Sequence, residues 1–200
     1  QDNELTWVHW DSVDRPLIEF TAALARLRRE HPTFRRSRFF NGRPVVREAG
    51  EPVPDIVWLR PDGTAMRPDD WDSGFGRAIG VFLNGNGIRE RDRRGRPISD
   101  RHVVMLFKAG DAPVEFTIPS AEYSPRWDVL IDTSGENTSR AALDGGDTLS
   151  AEPKSLILLI EHEDPLPDVD HSVAASLAAL TQPIDVPARP LEQPASVARN

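Results

Sequence analysis

The first apolar pattern in the chain predicts an amphipathic helix near its start. Four large apolar residues recur at intervals of three and four positions and so line one face of a helix: Leu17, Phe20, Leu24 and Leu27. Asp14 and Pro16 are typical of a helix start, and Pro32 stops the helix, which we place at residues 16–31. We expect this stripe to pack mainly on protein outside this sequence and only partly on the rest of it.

From about residue 39 the pattern changes to short β-rich runs, at residues 56–59, 79–83, 103–107, 114–118, 127–131 and 156–160. Residues 103–107 are apolar on both faces, as expected of a central strand. Several strands without intervening helices indicate an antiparallel sandwich or barrel. Two runs alternate apolar with other residues, which predicts one buried face in each: Val114, Phe116 and Ile118, and Trp127, Val129 and Ile131.

Turn-forming residues separate the predicted strands. Clear turn signals occur at residues 61–63, 110–111 and 144–146. Asn84 to Gly87, reading NGNG, lacks the lysine of a phosphate-binding loop, and we predict a hairpin turn there.

The two ends of the chain differ from its centre. Residues 1–14 are polar with two tryptophans and suit a loop that lies against another surface. The chain begins without an initiator methionine, which we interpret as a start within a longer protein. Residues 162–200 are rich in proline, and we predict a flexible tail with one weak helix at 173–180.

Composition narrows the possible partners and compartments. The 200 residues carry a net charge of −8, which argues against nucleic acid as the main partner and is compatible with a neutral polysaccharide. There are no cysteines, and no apolar run approaches the roughly 20 residues that span a bilayer. We therefore expect a cytoplasmic protein without membrane contact, and we assign it no cofactor.

Three groups of residues could carry chemistry, but each has a simpler structural explanation. Asp69 to Asp72 contains three carboxylates, yet they are neighbours in one loop, and we interpret them as caps and turn formers around a packed Trp71. Arg89 to Arg96 is basic but interrupted by acids, which favours a solvated loop over a nucleic-acid interface. The five histidines are scattered and predict no metal site.

Three strings of residues resemble one protein family. They are QDNELTWVHWD at residues 1–11, WLRPDG at 58–63 with Met66 and Asp69-Asp70-Trp71, and IGVFLNG at 79–85. In this order they resemble the bacterial glycogen debranching enzymes, which are isoamylase-type members of the α-amylase superfamily. The resemblance covers about residues 1–161 and leaves the proline-rich tail outside.

The resemblance implies a fold that is mainly β. Residues 39–161 would form the C-terminal antiparallel β-sandwich of such an enzyme. Residues 1–38 would be the last loop and last helix of its catalytic (β/α)8 barrel, which lies mostly outside this sequence. The lone helix would then face that barrel.

The resemblance also implies hydrolysis of α-1,6 branch linkages in glycogen or branched maltodextrin, by a retaining mechanism with two carboxylates. In the family these lie on earlier barrel strands, so we assign no catalytic residue here. By this resemblance Asp2 and Asn3 would lie in the last barrel loop and are candidate substrate-binding residues, or else would brace that loop by hydrogen bonds. A noncatalytic carbohydrate-binding or structural β module, and a branching or trehalose-forming relative, remain alternatives.

Overall fold

A computed structural model describes residues 2–4, 7, 10, 12–45, 52–72 and 77–163, and the structural statements below refer to these residues. The tail helix predicted at 173–180, and the proline-rich region from residue 164 onward, lie outside them.

The described chain forms one α-helix followed by ten strands. Helix α1 spans Arg15–Glu30, and the strands are β1 Pro44–Val45, β2 Val53–Pro54, β3 Ile56–Leu59, β4 Ala78–Leu83, β5 Val103–Lys108, β6 Val114–Thr117, β7 Arg126–Asp132, β8 Leu143–Asp144, β9 Thr148–Ala151 and β10 Ser155–Glu161. All six predicted strands are confirmed, with ends within one residue. Four short strands were not predicted from the sequence: β1, β2, β8 and β9.

All strand pairings are antiparallel. Six strands form one sheet in the order β3-β4-β5-β10-β7-β8, while β6 pairs with β9 and β1 with β2. The prediction of a mainly β, antiparallel fold is therefore confirmed. The placement of α1 as the last helix of a barrel, and the division of the chain at residue 38, stay predictions.

Both faces of the six-stranded sheet are covered. On one face, Phe82, Leu106 and Leu159 share an apolar cluster with residues of the β6–β9 pair such as Phe116. On the other face, neighbouring residues of the same strands form a second cluster with Ala23 and Leu27 of α1. Strands β4, β5 and β10 are apolar at almost every position because each of their faces meets one of these layers.

A β-bulge overturns one prediction for β7. Leu158 of β10 pairs with Ile131, whereas the next residue, Leu159, pairs with Val129, so Leu130 is an extra residue in the ladder. Trp127 and Val129 face the first cluster as predicted, but Ile131 lies in the second. Simple alternation placed Ile131 with Trp127, and this was wrong because the extra residue reverses the facing of the strand beyond it.

Helix α1 begins and ends close to the predicted limits. The Asp14 carboxylate accepts a hydrogen bond of 3.0 Å from the Leu17 backbone N–H and so caps the first turn. The inward face is rotated from the predicted stripe: Leu27 is buried at 4% exposure beside Ala23, but Leu17 remains 59% exposed. The prediction that the stripe is only partly buried on the β-rich part is thus confirmed.

The segment from Asn84 to Gly87 is not the predicted hairpin turn. It opens a long connection, residues 84–102, between the adjacent strands β4 and β5. The fully buried Asn84 side chain donates to the Val53 carbonyl at 3.0 Å and accepts from the Asn86 backbone N–H at 3.0 Å. These bonds fold the segment inward as a single 3-10 turn.

Among the described helices, none has the length and apolar character to cross a membrane.

Candidate functional site

The predicted substrate-binding residues lie in the exposed N-terminal segment. Asp2 and Asn3 are both exposed. The Asp2 carboxylate accepts a hydrogen bond of 2.7 Å from the indole N–H of Trp7. Asp2 therefore already braces the segment, although its second oxygen and exposed position leave it able to accept from a sugar hydroxyl as well.

Several large apolar side chains of this segment and of helix α1 are exposed. Trp7, Trp10, Leu17 and Ile18 all remain exposed, and Leu24 on the same helix is 36% exposed. Exposed apolar side chains of this size in one stretch of the chain are typical of a segment that meets another protein surface. We call Leu17, Ile18 and Leu24 the outer helix face.

A run of hydrogen bonds fastens the end of α1 to the β4–β5 connection. The Asp100 carboxylate lies 2.9 Å from His31 Nδ1 and accepts from the Thr33 backbone N–H at 3.0 Å. Burial raises the pKa of Asp100, but the hydrogen bonds from His31 and Thr33 outweigh it and hold that pKa below its ordinary value. The ionised carboxylate thus joins the helix terminus to the sheet domain.

The residues after α1 continue this attachment. The Arg36 guanidinium donates to the Gly87 carbonyl at 3.0 Å and to the Asn84 carbonyl, and it lies 4.4 Å from the centre of the Phe40 ring. Burial lowers the pKa of Arg36, and nearby carboxylates such as Asp55 oppose that shift. Arg36 therefore holds residues 31–43, which connect α1 to β1 and are here called the linker, against the turn at Asn84.

Glu90 anchors the next two residues of the linker. One of its oxygens accepts from the Ser37 N–H and hydroxyl, each at 2.8 Å, and from the Arg38 N–H at 3.0 Å. Desolvation raises the pKa of Glu90, but the hydrogen bonds from Ser37 and Arg38 outweigh it and lower the pKa from 4.5 to about 2. The charged form is the one that holds the linker.

We expect this anchor to make stability depend on pH. Because the folded pKa of Glu90 is depressed, its contribution is complete above the ordinary value near 4.5 and is lost as the pH falls through about 2. At neutral pH, Glu90→Gln should lower the melting temperature by about 2–4 °C. Thermal unfolding followed by circular dichroism should show this difference from wild type narrowing below pH 4.5.

The matched control is Glu136→Gln, since Glu136 is exposed. Its melting curve should follow that of the wild type across the same pH range. A Glu90→Gln deficit that persisted unchanged at the lowest pH would contradict the role assigned to the Glu90 charge.

The acidic loop that the sequence singled out contains an exposed aromatic pair. Asp70 Oδ2 accepts from the Arg67 backbone N–H at 2.6 Å and caps the short 3-10 helix Pro68–Asp72, as the sequence interpretation held. Trp71 packs edge-to-face on Trp58, with ring centres 5.4 Å apart and an interplanar angle of 81°. Yet Trp71 is 54% exposed and Trp58 41% exposed.

Arg60 ties the two halves of this aromatic pair together. Its Nε donates to the Thr64 hydroxyl at 2.9 Å, and Nη2 lies 3.2 Å from Asp62. Nη1 lies 3.8 Å from Asp70, the neighbour of Trp71. Trp58 and Arg60 lie two residues apart, so they share one face of the extended chain. We call Trp58, Trp71, Arg60 and Asp70 the aromatic patch.

Sequence reasoning missed Trp58 as a surface residue. Trp71 was noticed, but as a packed side chain. The signal that could have found the pair is the alternation of β3, where Leu59 is buried at 1% exposure and its neighbours must face the other way. The packing of Trp71 onto that face is a long-range contact, which no local pattern predicts.

The histidines and the basic run act structurally where the structure describes them. His102 accepts from the Gly85 N–H at 3.0 Å, and His162 lies 2.9 Å from Asp128. Among the described residues, no three His, Asp or Glu side chains gather as metal ligands. The segment 89–96 is a loop between β4 and β5, as predicted, and Asp92 accepts from the Arg96 side chain at 2.7 Å.

The fold and these surfaces define an antiparallel β domain that carries one helix with a partly uncovered apolar face. No protein-family profile matches the chain. The chain is 38% identical over 162 residues to a Mycobacterium tuberculosis protein described as "Glycogen operon protein GlgX homolog", a match that covers 80% of this chain and 22% of that protein. Two proteins described as "Glycogen debranching enzyme" also match.

The protein from Cronobacter sakazakii is 34% identical over 124 residues, which is 59% of this chain and 17% of that protein. The protein from Dickeya chrysanthemi is 40% identical over 74 residues, 37% of this chain and 10% of that protein. The chain spans about a fifth or less of the length of these relatives. Its resemblance to the C-terminal part of the bacterial glycogen debranching enzymes of the GlgX type is confirmed.

Proposed function

We propose that the protein to which this segment belongs, here called the parent, hydrolyses α-1,6 branch linkages in glycogen and related dextrins. The observation that carries the proposal is the match of 80% of this chain at 38% identity to a protein named for GlgX and the glycogen operon. Matches to proteins named as glycogen debranching enzymes support the same activity. Glycogen or branched maltodextrin is the proposed substrate.

In this proposal the chemistry takes place outside this chain. A retaining glycosidase needs a carboxylate nucleophile and a carboxylic acid about 5–5.5 Å apart on a rigid scaffold. The acids of Asp69 to Asp72 do not suit this, because Asp70 is engaged in capping a 3-10 helix and in contacting Arg60. We place the catalytic pair upstream of Gln1, on earlier strands of a (β/α)8 barrel.

The outer helix face supports a barrel as the neighbour of this chain. Leu17, Ile18 and Leu24 are exposed, while Ala23 and Leu27 of the same helix are buried against the six-stranded sheet. A helix with apolar residues on two sides suits a position between two layers. Residues 1–38 would then be the end of the barrel and residues 39–161 its C-terminal β-sandwich.

Asp2 and Asn3 are the residues of this chain that we propose for substrate contact. As part of the last barrel loop they would lie at the face where such barrels bind substrate. Their carboxylate and amide groups hydrogen-bond readily to sugar hydroxyls. The bond from Trp7 to Asp2 would hold that loop in place for binding.

The proposal predicts a sharp contrast in activity. The parent should release reducing ends from glycogen, and the isolated 200-residue chain should release none, because a catalytic pair must be held to about 0.5 Å. In the parent, Asn3→Ala should lower kcat/KM for glycogen by about tenfold, the effect of losing one hydrogen bond to substrate. A reducing-sugar assay measures both.

The control is Asn86→Ala, an exposed asparagine elsewhere in the chain, which should leave kcat/KM unchanged. Hydrolysis by the purified 200-residue chain would show that a catalytic pair lies within it. An unchanged kcat/KM in Asn3→Ala would remove Asn3 from the substrate site while leaving the debranching activity intact.

A further inference from the structure

The aromatic patch is an exposed surface that the proposed hydrolysis does not use. Trp58 and Trp71 keep 41% and 54% of their surface exposed although each is a large apolar residue that proteins normally bury. We propose that the aromatic patch is a second, noncatalytic binding site for a neutral α-glucan chain. This inference rests on the proposed function for the identity of the sugar.

The chemistry of the patch suits a sugar. A glucose ring carries C–H groups on its faces, which pack on an aromatic ring, and hydroxyls around its rim, which need hydrogen-bond partners. The two indoles meet at 81°, and the patch also contains the Arg60 and Asp70 side chains, which lie 3.8 Å apart. A guanidinium and a carboxylate together supply donors and acceptors for those hydroxyls.

The patch is also held rigid before any ligand arrives. The Trp58 carbonyl accepts from the Met66 N–H at 2.8 Å, which fixes the strand that carries the first indole. Asp70 caps the helix that carries the second, and Arg60 connects the two sides, because it donates to Thr64 and lies 3.8 Å from Asp70. A ligand therefore meets a surface whose backbone and polar side chains are already held in place, which reduces the entropy lost on binding.

Size and charge favour a sugar over a macromolecular partner. A stable protein interface needs about 800 Å² from each partner, whereas two partly exposed indoles offer a small fraction of this. Residues 58–72, which carry the patch, include four carboxylates, from Asp62, Asp69, Asp70 and Asp72, against the two cations Arg60 and Arg67. This acidic excess repels polyanions and has no effect on a neutral glucan.

The test uses the 200-residue chain and maltohexaose. Five tryptophans give five indole N–H signals in a nitrogen–proton NMR spectrum, and Trp71→Phe and Trp58→Phe identify two of them. Maltohexaose should shift the Trp58 and Trp71 signals, with a Kd on the order of 1 mM. Trp71→Ala should weaken binding by about tenfold, and Trp71→Phe, which keeps an aromatic face, should restore most of it.

Phe39→Ala is the matched control, because Phe39 is a 99% exposed aromatic residue outside the patch, and binding should not change. The inference is overturned if maltohexaose moves neither patch signal, or if Trp71→Ala binds as the wild type does. Patch signals that differ between the isolated chain and the parent without sugar, and that maltohexaose leaves unmoved, would instead show that the patch packs on the parent. Hydrolysis by the parent is measured in a separate assay, so the proposed debranching activity and the proposed binding site can each be contradicted independently.

Discussion

Gly85→Ala should destabilise the protein by about 3 kcal/mol or more, a large effect for one methyl group. A Cβ atom built at Gly85 would lie 2.0 Å from the Asp100 carbonyl oxygen and 2.5 Å from that of Arg101. Both obstacles are backbone atoms, which cannot rotate away as a flexible side chain does. Relief requires movement of the segment that holds α1 through the contact of Asp100 with His31.

The measurement is urea unfolding followed by circular dichroism, which gives the free energy of unfolding. Asn86→Ala is the control, since this residue lies in the same turn and its side chain is exposed. It should change the free energy of unfolding by less than about 0.5 kcal/mol. Wild-type stability in Gly85→Ala would mean that the turn does not pack against residues 100–101 in solution.

The second large effect is expected in α1. Leu27→Ala should lower the free energy of unfolding by about 2–4 kcal/mol, because Leu27 is 4% exposed and lies in the cluster between α1 and the sheet. Leu17→Ala is a matched control on the same helix and of the same residue type. At 59% exposure, Leu17 should contribute less than about 0.5 kcal/mol in the isolated chain.

The same pair of variants distinguishes two environments of the helix. In the parent, Leu17→Ala should become destabilising by about 1.5–3 kcal/mol, as expected when a leucine is buried by a new neighbour. Equal effects of Leu17→Ala in the isolated chain and in the parent would contradict the proposal that the outer helix face packs on a barrel. Equal effects of Leu27→Ala and Leu17→Ala in the isolated chain would contradict the packing of α1 on the sheet.

Sequence patterns predicted the elements well and their packing less well. Alternating apolar residues located β6, and the Asp14 cap located the start of α1, since both signals are local. The facing of Ile131 was wrong because it depends on a bulge formed with β10. Which part of the α1 stripe meets the sheet had no local signal, because Ala23 and Leu27, and not Leu17 or Leu24, are the residues buried there.

The candidate site was predicted from resemblance more than from physics. Asp2 and Asn3 were chosen because of the string QDNE, and no periodicity distinguishes them from other loop residues. The attachment of the linker by Glu90 and Asp100 joins residues more than 50 positions apart and has no local signal. Only one part of the aromatic patch could be predicted from the sequence. Alternation on β3 predicts which way Trp58 faces, but it does not predict that Trp71 packs on it.

The most direct test asks which glycosidic bond the parent breaks. Proton NMR of glycogen separates the anomeric signals of α-1,6 and α-1,4 linkages, so both can be followed in one tube as the parent acts. We expect the α-1,6 signal to disappear while the α-1,4 signal stays and linear maltooligosaccharides accumulate. Loss of the α-1,4 signal with the α-1,6 signal intact would contradict it.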